Sequence, residues 1–237
     1  MSYKIKKDSS ILLVGSTGFI GNVIKKLLIK EKYNLWTCDR TTQTSKKYKT
    51  FNINDLLNSN KNINIFPSFD GIIWAQGQNM KDNIINFDLK NHFEIYNANV
   101  ISIVCCLNNL INFTKVSKDA SIVIISSIWQ ELSKKNKLSY TISKSALKGL
   151  VNSLIADLSC KNIRVNAVLP GPIDTPMTHA NLSKSELKKV ISDSPYNKLA
   201  NVDDVANTVS WLVSSQSNGV SGNFIKLDEG ATSVKTY

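Results

Sequence analysis

The chain has 237 residues, of which 42% are hydrophobic and 20% charged, and its formal net charge is +11. These values are typical of a globular protein built from one large α/β domain or two small ones. No apolar run approaches the roughly 20 residues of a membrane span, and the first apolar run is too short for a secretory signal, so we expect a cytoplasmic protein without membrane contact.

Short apolar runs alternate with longer segments of helical length along the chain. The runs predict strands at residues 11–14, 34–38, 71–75, 121–125, 163–169 and 223–227. The longer segments predict helices at 20–30, 92–113, 140–160 and 202–214. Because the runs are continuously apolar, both faces of the sheet are expected to be covered. The pattern predicts an α/β fold, a doubly wound parallel sheet in a single domain over residues 1–237, with a polar substrate loop at about 176–199.

A glycine-rich turn joins the first predicted strand to the first predicted helix. Such a turn lets the backbone approach a pyrophosphate, and the helix N-terminus supplies N–H groups and positive potential. The fold is therefore expected to be Rossmann-like, with a dinucleotide on this turn. The residues expected to bind it are Gly15, Thr17, Gly18, Phe19, Ile20 and Gly21.

The second predicted strand is followed by Asp39 and Arg40. In dinucleotide-binding folds an acidic residue at this distance from the glycines bonds the adenosine ribose. A 2′-phosphate would face the carboxylate, which favours NAD(H) over NADP(H). Arg40 weakens this preference, because a guanidinium can accommodate the phosphate or stack on adenine.

Ser127, Tyr140 and Lys144 follow the fourth apolar run and indicate proton-transfer chemistry. Ser127 follows that predicted strand, and Tyr140 and Lys144 are spaced four residues apart at the start of a helix, so they share one helical face. A nearby ammonium is expected to lower the pKa of the tyrosine. Tyr140 could then exchange a proton with an alcohol or carbonyl oxygen, while Ser127 donates a hydrogen bond to the same oxygen.

Further motifs are in register with these three residues. Asn99 falls within the long helical segment 92–113, and Pro170-Gly171 ends a buried strand. Ile173 and Thr175 follow, beyond the carboxyl edge of the sheet, where such folds bind ligands.

With Ser127, Tyr140-x-x-x-Lys144, Asn99-Val100, Pro170-Gly171 and the stretch 220–230, the chain resembles the short-chain dehydrogenase/reductase family over nearly its whole length. It is similar to the compact single-domain branch, which includes 3-oxoacyl-ACP reductases and related carbonyl reductases. The resemblance implies an NAD(P)(H)-dependent oxidoreductase that interconverts a carbonyl and a secondary alcohol.

The resemblance also implies roles for individual residues. Tyr140 is expected to be the general acid/base, Lys144 to bond the nicotinamide ribose, and Ser127 to orient the substrate oxygen, with Asn99 supporting a water relay to Lys144. The remaining cofactor contacts are expected at Asn52, Ile53, Ala75, Gln76, Gly77, Pro170, Gly171, Ile173 and Thr175. Three departures from the family pattern are Phe19 at a common glycine position, Trp74-Ala75-Gln76-Gly77 after the fourth strand, and Asn52 in place of a frequent aspartate.

The cysteines and histidines predict no metal site. Cys38, Cys105, Cys106 and Cys160 include no C-x-x-C pair, and the two histidines, His92 and His179, are far apart in the sequence. A zinc site needs three or four clustered ligands. Scattered thiols fit a reducing compartment.

Several alternatives stay open from the sequence. The substrate could be a small molecule or a carrier-linked carbonyl compound: a 3-oxoacyl thioester, with Lys118 and Lys161 in positions resembling carrier-docking residues, or a sugar-derived compound. A different class is a catalytically silent dinucleotide-binding scaffold or sensor. The charge alone could also indicate a nucleic-acid or membrane-surface protein, but no nucleic-acid-binding motif accompanies it. The family usually forms homodimers or homotetramers through its two long helices, here 91–114 and 140–160.

Overall fold

The structure, a computed structural model, describes residues 9–42, 45–57, 65–175, 178–179 and 182–234. The predicted substrate loop at 176–199 therefore lies partly outside the described residues. The described part forms a three-layer α/β structure in which one sheet separates two sets of helices.

Seven parallel strands form the sheet, in the order β3-β2-β1-β4-β5-β6-β7. They are β1 (Ser10–Val14), β2 (Asn34–Asp39), β3 (Lys49–Asn52), β4 (Phe69–Trp74), β5 (Val116–Ile125), β6 (Arg164–Pro170) and β7 (Phe224–Leu227). This confirms the prediction of a Rossmann-like, doubly wound parallel sheet. The sequence analysis missed β3, because its four residues, Lys-Thr-Phe-Asn, have no continuous apolar run and only Phe51 is buried.

The helices cover both faces of the sheet. They are α1 (Phe19–Lys30), α2 (Ile53–Leu57), α3 (Leu89–Tyr96), α4 (Ser102–Asn112), α5 (Leu138–Leu158), α6 (Lys184–Ser192) and α7 (Val202–Val213). The predicted helix 92–113 is wrong as a single regular helix, since a π-helical turn at Asn97–Ile101 separates α3 from α4. Such turns insert one extra residue per turn and often occur at functional sites.

Two hydrophobic clusters explain the continuous apolar runs. Alternate strand residues such as Leu12 and Val14 pack on one face against α4 and α5, while Ile11 and Leu13 pack on the other face against α1 and α7. All four side chains are fully buried. Because neither face is solvated, the strands need no polar alternation. The strand order changes direction between β1 and β4, and ligands of such sheets bind beyond the carboxyl ends of the strands at that point.

Arg164 anchors the opposite, amino end of the sheet. Its guanidinium is buried and donates five hydrogen bonds, to the carbonyl oxygens of Leu212, Ser214, Ser217 and Val220 and to the Ser217 hydroxyl. Burial lowers the pKa of Arg164. One side chain thus satisfies carbonyl groups that the end of α7 and the turn after it leave without helical partners.

We expect Arg164→Met to lower the free energy of unfolding by about 2–4 kcal/mol, because four carbonyl groups each lose a hydrogen bond from a charged donor. Urea unfolding followed by circular dichroism measures the change. Lys161→Gln, an exposed neighbour before the same strand, is the control and should stay near wild type. Equal stability of Arg164→Met and wild type would contradict a structural role for this guanidinium.

Candidate active site

The glycine-rich turn has the backbone geometry that its sequence predicted. Gly15 has a φ of +85°, and a Cβ there would lie 2.6 Å from the Gln76 nitrogen. A Cβ on Gly21 would lie 2.0 Å from the Gly15 oxygen. Gly18 is the N-cap of α1 and no side chain caps this helix end. The N–H groups of the first turn, which begins with Phe19 and Ile20, thus have neither a helical acceptor nor a side-chain cap.

Asp39 is engaged by this same turn. Its buried carboxylate accepts hydrogen bonds from the Ser16 hydroxyl at 2.7 Å, the Thr17 backbone N–H at 3.0 Å and the Thr17 hydroxyl at 3.1 Å. The carboxylate therefore joins the end of β2 to the glycine-rich turn. The sequence analysis considered only a ribose as its partner and did not anticipate these bonds, because Ser16 and Thr17 come close to Asp39 only when β1 and β2 pair.

A cavity of about 480 Å³ opens beside this turn. Its lining includes the predicted residues Arg40, Ile53, Gln76 and Gly77. Asn52 does not line it. Its side chain instead donates to the Arg40 carbonyl at 2.7 Å and accepts from the Asn54 N–H at 2.9 Å, so it supports the backbone of the cavity wall.

Gln76 supports the opposite wall through the π-helical turn. Its amide nitrogen donates to the Ala98 carbonyl at 3.2 Å and to the Ser102 hydroxyl at 3.0 Å. Ala75, which precedes it, continues the β1–β4 pairing by donating its N–H to the Val14 carbonyl at 2.9 Å. These bonds connect the carboxyl end of β4 to the helix that carries Asn99.

Ser127, Tyr140 and Lys144 meet at the carboxyl end of β5. Ser127 is buried, and its side chain is close enough to Tyr140 to lower the pKa of the phenol. The Lys144 ammonium lies 5.8 Å from the centroid of the Tyr140 ring and donates to the Ile125 carbonyl at 3.1 Å. The strand end and one face of α5 thus bring the three side chains together, as their spacing predicted.

Burial governs the protonation of this group. It lowers the pKa of Lys144 to about 8 and raises the pKa of Tyr140, while the nearby Ser127 side chain acts in the opposite direction on Tyr140. The expectation that Lys144 lowers the pKa of Tyr140 below its ordinary value is therefore wrong for this structure. The loss of hydration destabilises the phenolate more than the neighbouring groups stabilise it.

Asn99 lies in the π-helical turn and is almost completely buried. Its side-chain oxygen accepts from the Gln78 N–H at 2.7 Å, and its nitrogen donates to the Gln78 carbonyl at 3.0 Å and to the Ser143 hydroxyl at 2.9 Å. A Cβ at Gly77 would lie 3.3 Å from the Asn99 side-chain oxygen and 3.5 Å from the Lys144 ammonium. Asn99 thus fixes the backbone directly beside Lys144.

Sequence reasoning missed a buried hydrogen-bonded group next to Tyr140. The Asp82 carboxylate accepts from the backbone N–H and the hydroxyl of Ser139, and the same hydroxyl lies 2.8 Å from His92 Nδ1. These bonds attach the first turn of α5 to the loop after β4 and to α3. A serine directly before Tyr140 was the available signal, but its partners are 57 and 47 residues away in sequence.

The predicted residues after β6 are close to the carboxyl edge as well. Pro170 is the last residue of β6, and a Cβ on Gly171 would lie 2.9 Å from the Asp228 Cα. Ile173 forms a parallel bridge with Ala200. The Thr175 hydroxyl accepts from the Thr178 N–H at 2.9 Å. These contacts hold both ends of the segment that contains α6.

The residues present fit a dinucleotide. The turn has no room for side chains at Gly15 and Gly21, the cavity of about 480 Å³ is lined by Gln76, which Gly15 approaches closely, and the buried Lys144 ammonium has N–H donors beyond the one given to Ile125. The glycine-rich turn and the first turn of α1 would hold the pyrophosphate, and Lys144 would hold a ribose hydroxyl.

The described ranges contain neither a metal-ligand cluster nor a membrane-spanning helix. No three His, Cys, Asp or Glu side chains there are grouped as metal ligands. No helix within the same ranges is long and apolar enough to cross a membrane.

Comparison with protein families gives two matches. The family model described as "Enoyl-(Acyl carrier protein) reductase" matches residues 57–232. The model of the NAD dependent epimerase/dehydratase family matches residues 11–101, the part with the glycine-rich turn.

Relatives of similar length agree with these matches. The uncharacterized oxidoreductase YmfI of Bacillus subtilis (strain 168) is 25% identical over 94% of this chain and 98% of its own length. The 3-oxoacyl-(acyl-carrier-protein) reductase FabG of Buchnera aphidicola subsp. Acyrthosiphon pisum (strain APS) is 25% identical over 92% of this chain and 95% of its own.

A solved structure is similar over the whole fold. The short chain dehydrogenase family protein from Francisella tularensis subsp. tularensis SCHU S4 has a TM-score of 0.84 and 27% identity, covering 96% of this chain and all of that one. Together with the family match over residues 57–232, this shows that the chain belongs to the short-chain dehydrogenase/reductase family and is an NAD(P)-dependent oxidoreductase that interconverts a carbonyl and a secondary alcohol.

Proposed function

We propose that Ser127, Tyr140 and Lys144 carry the proton chemistry of this oxidoreductase. The observation that carries the proposal is their convergence: Ser127 is close enough to Tyr140 to lower the pKa of its phenol, and the Lys144 ammonium lies 5.8 Å from the Tyr140 ring. A nicotinamide cofactor supplies or accepts the hydride at the substrate carbon.

In carbonyl reduction Tyr140 donates its phenolic proton to the substrate oxygen. Burial favours the protonated phenol, as its raised pKa indicates, so Tyr140 holds this proton until a negative charge develops on the substrate oxygen. Ser127 donates a hydrogen bond to the same oxygen. The Lys144 ammonium stabilises the phenolate that remains. Asn99 acts as a positioning residue, because it holds the backbone of residues 77–78 beside this ammonium, where the expected water relay would run.

We propose NAD(H) as the preferred cofactor, in a cytoplasmic enzyme. The Asp39 carboxylate ends β2, and no cation of the described chain lies within ion-pair distance of it. Its uncompensated charge disfavours a 2′-phosphate. Arg40 lines the neighbouring cavity and is the residue that could reverse this preference.

The substrate is proposed to be a 3-oxoacyl thioester or a sugar-derived carbonyl compound. The thioester is supported by the similarity to a 3-oxoacyl-(acyl-carrier-protein) reductase and by the net charge of +11, which suits an acidic carrier. A phosphorylated sugar derivative would suit the same charge.

We also propose that the chain forms a homodimer or homotetramer. Four apolar side chains on α3, the π-helical turn, α4 and α5 are exposed by 43–62%: Phe93, Ile101, Val104 and Ile142. A second copy of the chain packed against these side chains would remove them from water. Exposed apolar patches of this kind commonly mark an interface between copies.

Tyr140→Phe should lower kcat/KM for carbonyl reduction by about 10²–10⁴-fold, because the variant keeps the ring but loses the transferable proton. Steady-state assays with NADH and a panel of thioesters and keto sugars measure this. NADH binding by the variant, followed by fluorescence, should persist. Tyr48→Phe, which changes a tyrosine beside Lys25, is the control. Activity of Tyr140→Phe equal to wild type would remove Tyr140 from the mechanism.

NADH should be used at least about tenfold better than NADPH in kcat/KM, because a phosphate would approach the Asp39 charge. The same assay with Arg40→Ala tests the competing residue, and the preference for NADH should remain. A preference for NADPH that disappears in Arg40→Ala would contradict the proposal and identify Arg40 as a phosphate ligand.

The double variant Phe93→Glu/Val104→Glu should reduce the molar mass of the particle in solution, because two charges cannot be buried unpaired in an apolar interface. Size-exclusion chromatography with light scattering measures the mass. Ile65→Glu, at a residue that is 64% exposed elsewhere on the surface, is the control. A wild-type monomer would refute the proposed interface.

A further inference from the structure

Lys137 is a basic residue next to the reacting group that the proposed mechanism does not use. It is the N-cap of α5, three residues before Tyr140, and its ammonium lies 5.2 Å from the centroid of the Tyr140 ring. The ammonium donates to the Asn79 side-chain oxygen at 2.5 Å and to the Met80 carbonyl at 3.4 Å. Lys137 therefore bridges the loop after β4 and the start of the catalytic helix.

The charges of two further lysines, Lys134 and Lys81, act on Lys137. The Lys134 ammonium lies 5.4 Å from the Trp129 ring, in the loop that connects β5 to α5. Burial lowers the pKa of Lys137 to about 8, and the positive charges of Lys134 and Lys81 contribute in the same direction. The three ammonium groups are thus close enough to repel one another.

The charges of Asp82 and Glu186 offset only part of the charge of this lysine cluster, which consists of Lys81, Lys134 and Lys137. The ion pairs within 4 Å in the described ranges all involve other lysines or a histidine. Asp82 is the nearest acidic neighbour along the chain, but its carboxylate is committed to Ser139. The cluster therefore keeps an excess of positive charge beside the phenol of Tyr140.

The lysine cluster also lies beside the segment that follows β6. The Glu186 carboxylate on α6 accepts from the backbone N–H and hydroxyl of Ser183, and these bonds lower its pKa. The charges of Lys81 and Lys134 contribute to that lowering, so these two lysines act electrostatically on α6. The loop after β4 and the loop before α5 therefore both carry lysines whose charges reach α6.

We propose that the lysine cluster binds an anionic group of the substrate, a carboxylate or a phosphate, with Lys137 as the primary contact. This inference rests on the proposed function of Tyr140. When the substrate oxygen is bonded to Tyr140, the rest of the substrate lies near Lys137. The short distance from Lys137 to the ring requires the anionic oxygens to lie only a few bonds from the carbonyl carbon. The substrate class is then a short oxoacid or a phosphorylated carbonyl compound. A carrier-linked thioester is uncharged at this position.

Matched substrate pairs test the proposal. 3-Oxobutanoate and 4-oxopentanoate are compared with their methyl esters, and dihydroxyacetone phosphate with dihydroxyacetone, using wild-type enzyme and NADH. The anion of a pair should have a kcat/KM at least about tenfold higher than its neutral partner, and added salt should reduce this ratio because it screens the lysines. The oxoacid pairs report a carboxylate subsite and the phosphate pair a phosphate subsite.

Variants locate the source of the preference. Lys137→Gln should lower the anion-to-neutral ratio of kcat/KM at least about tenfold, since it keeps a hydrogen-bond donor but removes the charge. Lys137→Arg should retain most of the ratio. Lys148→Gln, an exposed lysine of the same helix, is the matched control and should keep the wild-type ratio. A ratio that is unchanged in Lys137→Gln would overturn the proposal.

A binding measurement separates this inference from the proposed function. Titration calorimetry of the enzyme–NADH complex with succinate and with inorganic phosphate requires no turnover, and the affinity for one of them should fall at least about tenfold in Lys137→Gln. Turnover that depends on Tyr140 but does not prefer anions would refute the anionic substrate and leave the proposed function standing. If the wild-type enzyme turns over no substrate but Lys137→Gln loses affinity for the anion, the proposed function is refuted and the anion site stands.

Discussion

The buried ammonium of Lys144 is the constraint on which the site depends. A lysine in this position is unfavourable unless a fixed acceptor is available, and the Ile125 carbonyl at the end of β5 supplies one at 3.1 Å. That bond sets how α5 lies against the sheet, and α5 in turn carries Tyr140. Burial that lowers the pKa of Lys144 to about 8 also raises that of Tyr140, so the same packing favours a phenol that keeps its proton.

The surroundings of this ammonium are held by polar groups with no direct part in proton transfer. Asn99 clamps the backbone at residue 78 and reaches Ser143 on α5, while Asp82 fixes Ser139 in the first turn of the same helix. Both clamps join α5 to the loop after β4. The π-helical turn explains how Asn99 can do this, because an extra residue changes which side chain of the helix faces inward. These bonds fix the backbone that borders the space next to Tyr140.

The two ends of the crevice use charge differently. At the glycine-rich turn the Asp39 carboxylate accepts hydrogen bonds from Ser16 and Thr17, so it organises the turn on which we propose that the cofactor binds. At the other end, Lys137 and its neighbours keep an excess of positive charge beside Tyr140. The proposed cofactor end of the crevice therefore carries a negative group, and the proposed substrate end carries positive groups.

The sequence by itself determined the parallel sheet and pointed to the residues that we propose to react. Continuous apolar runs, a glycine turn before a helix, and Tyr140 and Lys144 at helical spacing are local patterns, and local patterns survive without knowledge of tertiary contacts. Only the tertiary structure decided the edge strand β3, the π-helical turn, the partners of Asp39 and Asn52, and the convergence of Lys81, Lys134 and Lys137. The physical reason is the same for all of them: a short strand without an apolar run, a hydrogen bond to a distant carbonyl and a repulsion between lysines from different loops depend on which segments meet in space, and spacing along the chain does not encode that.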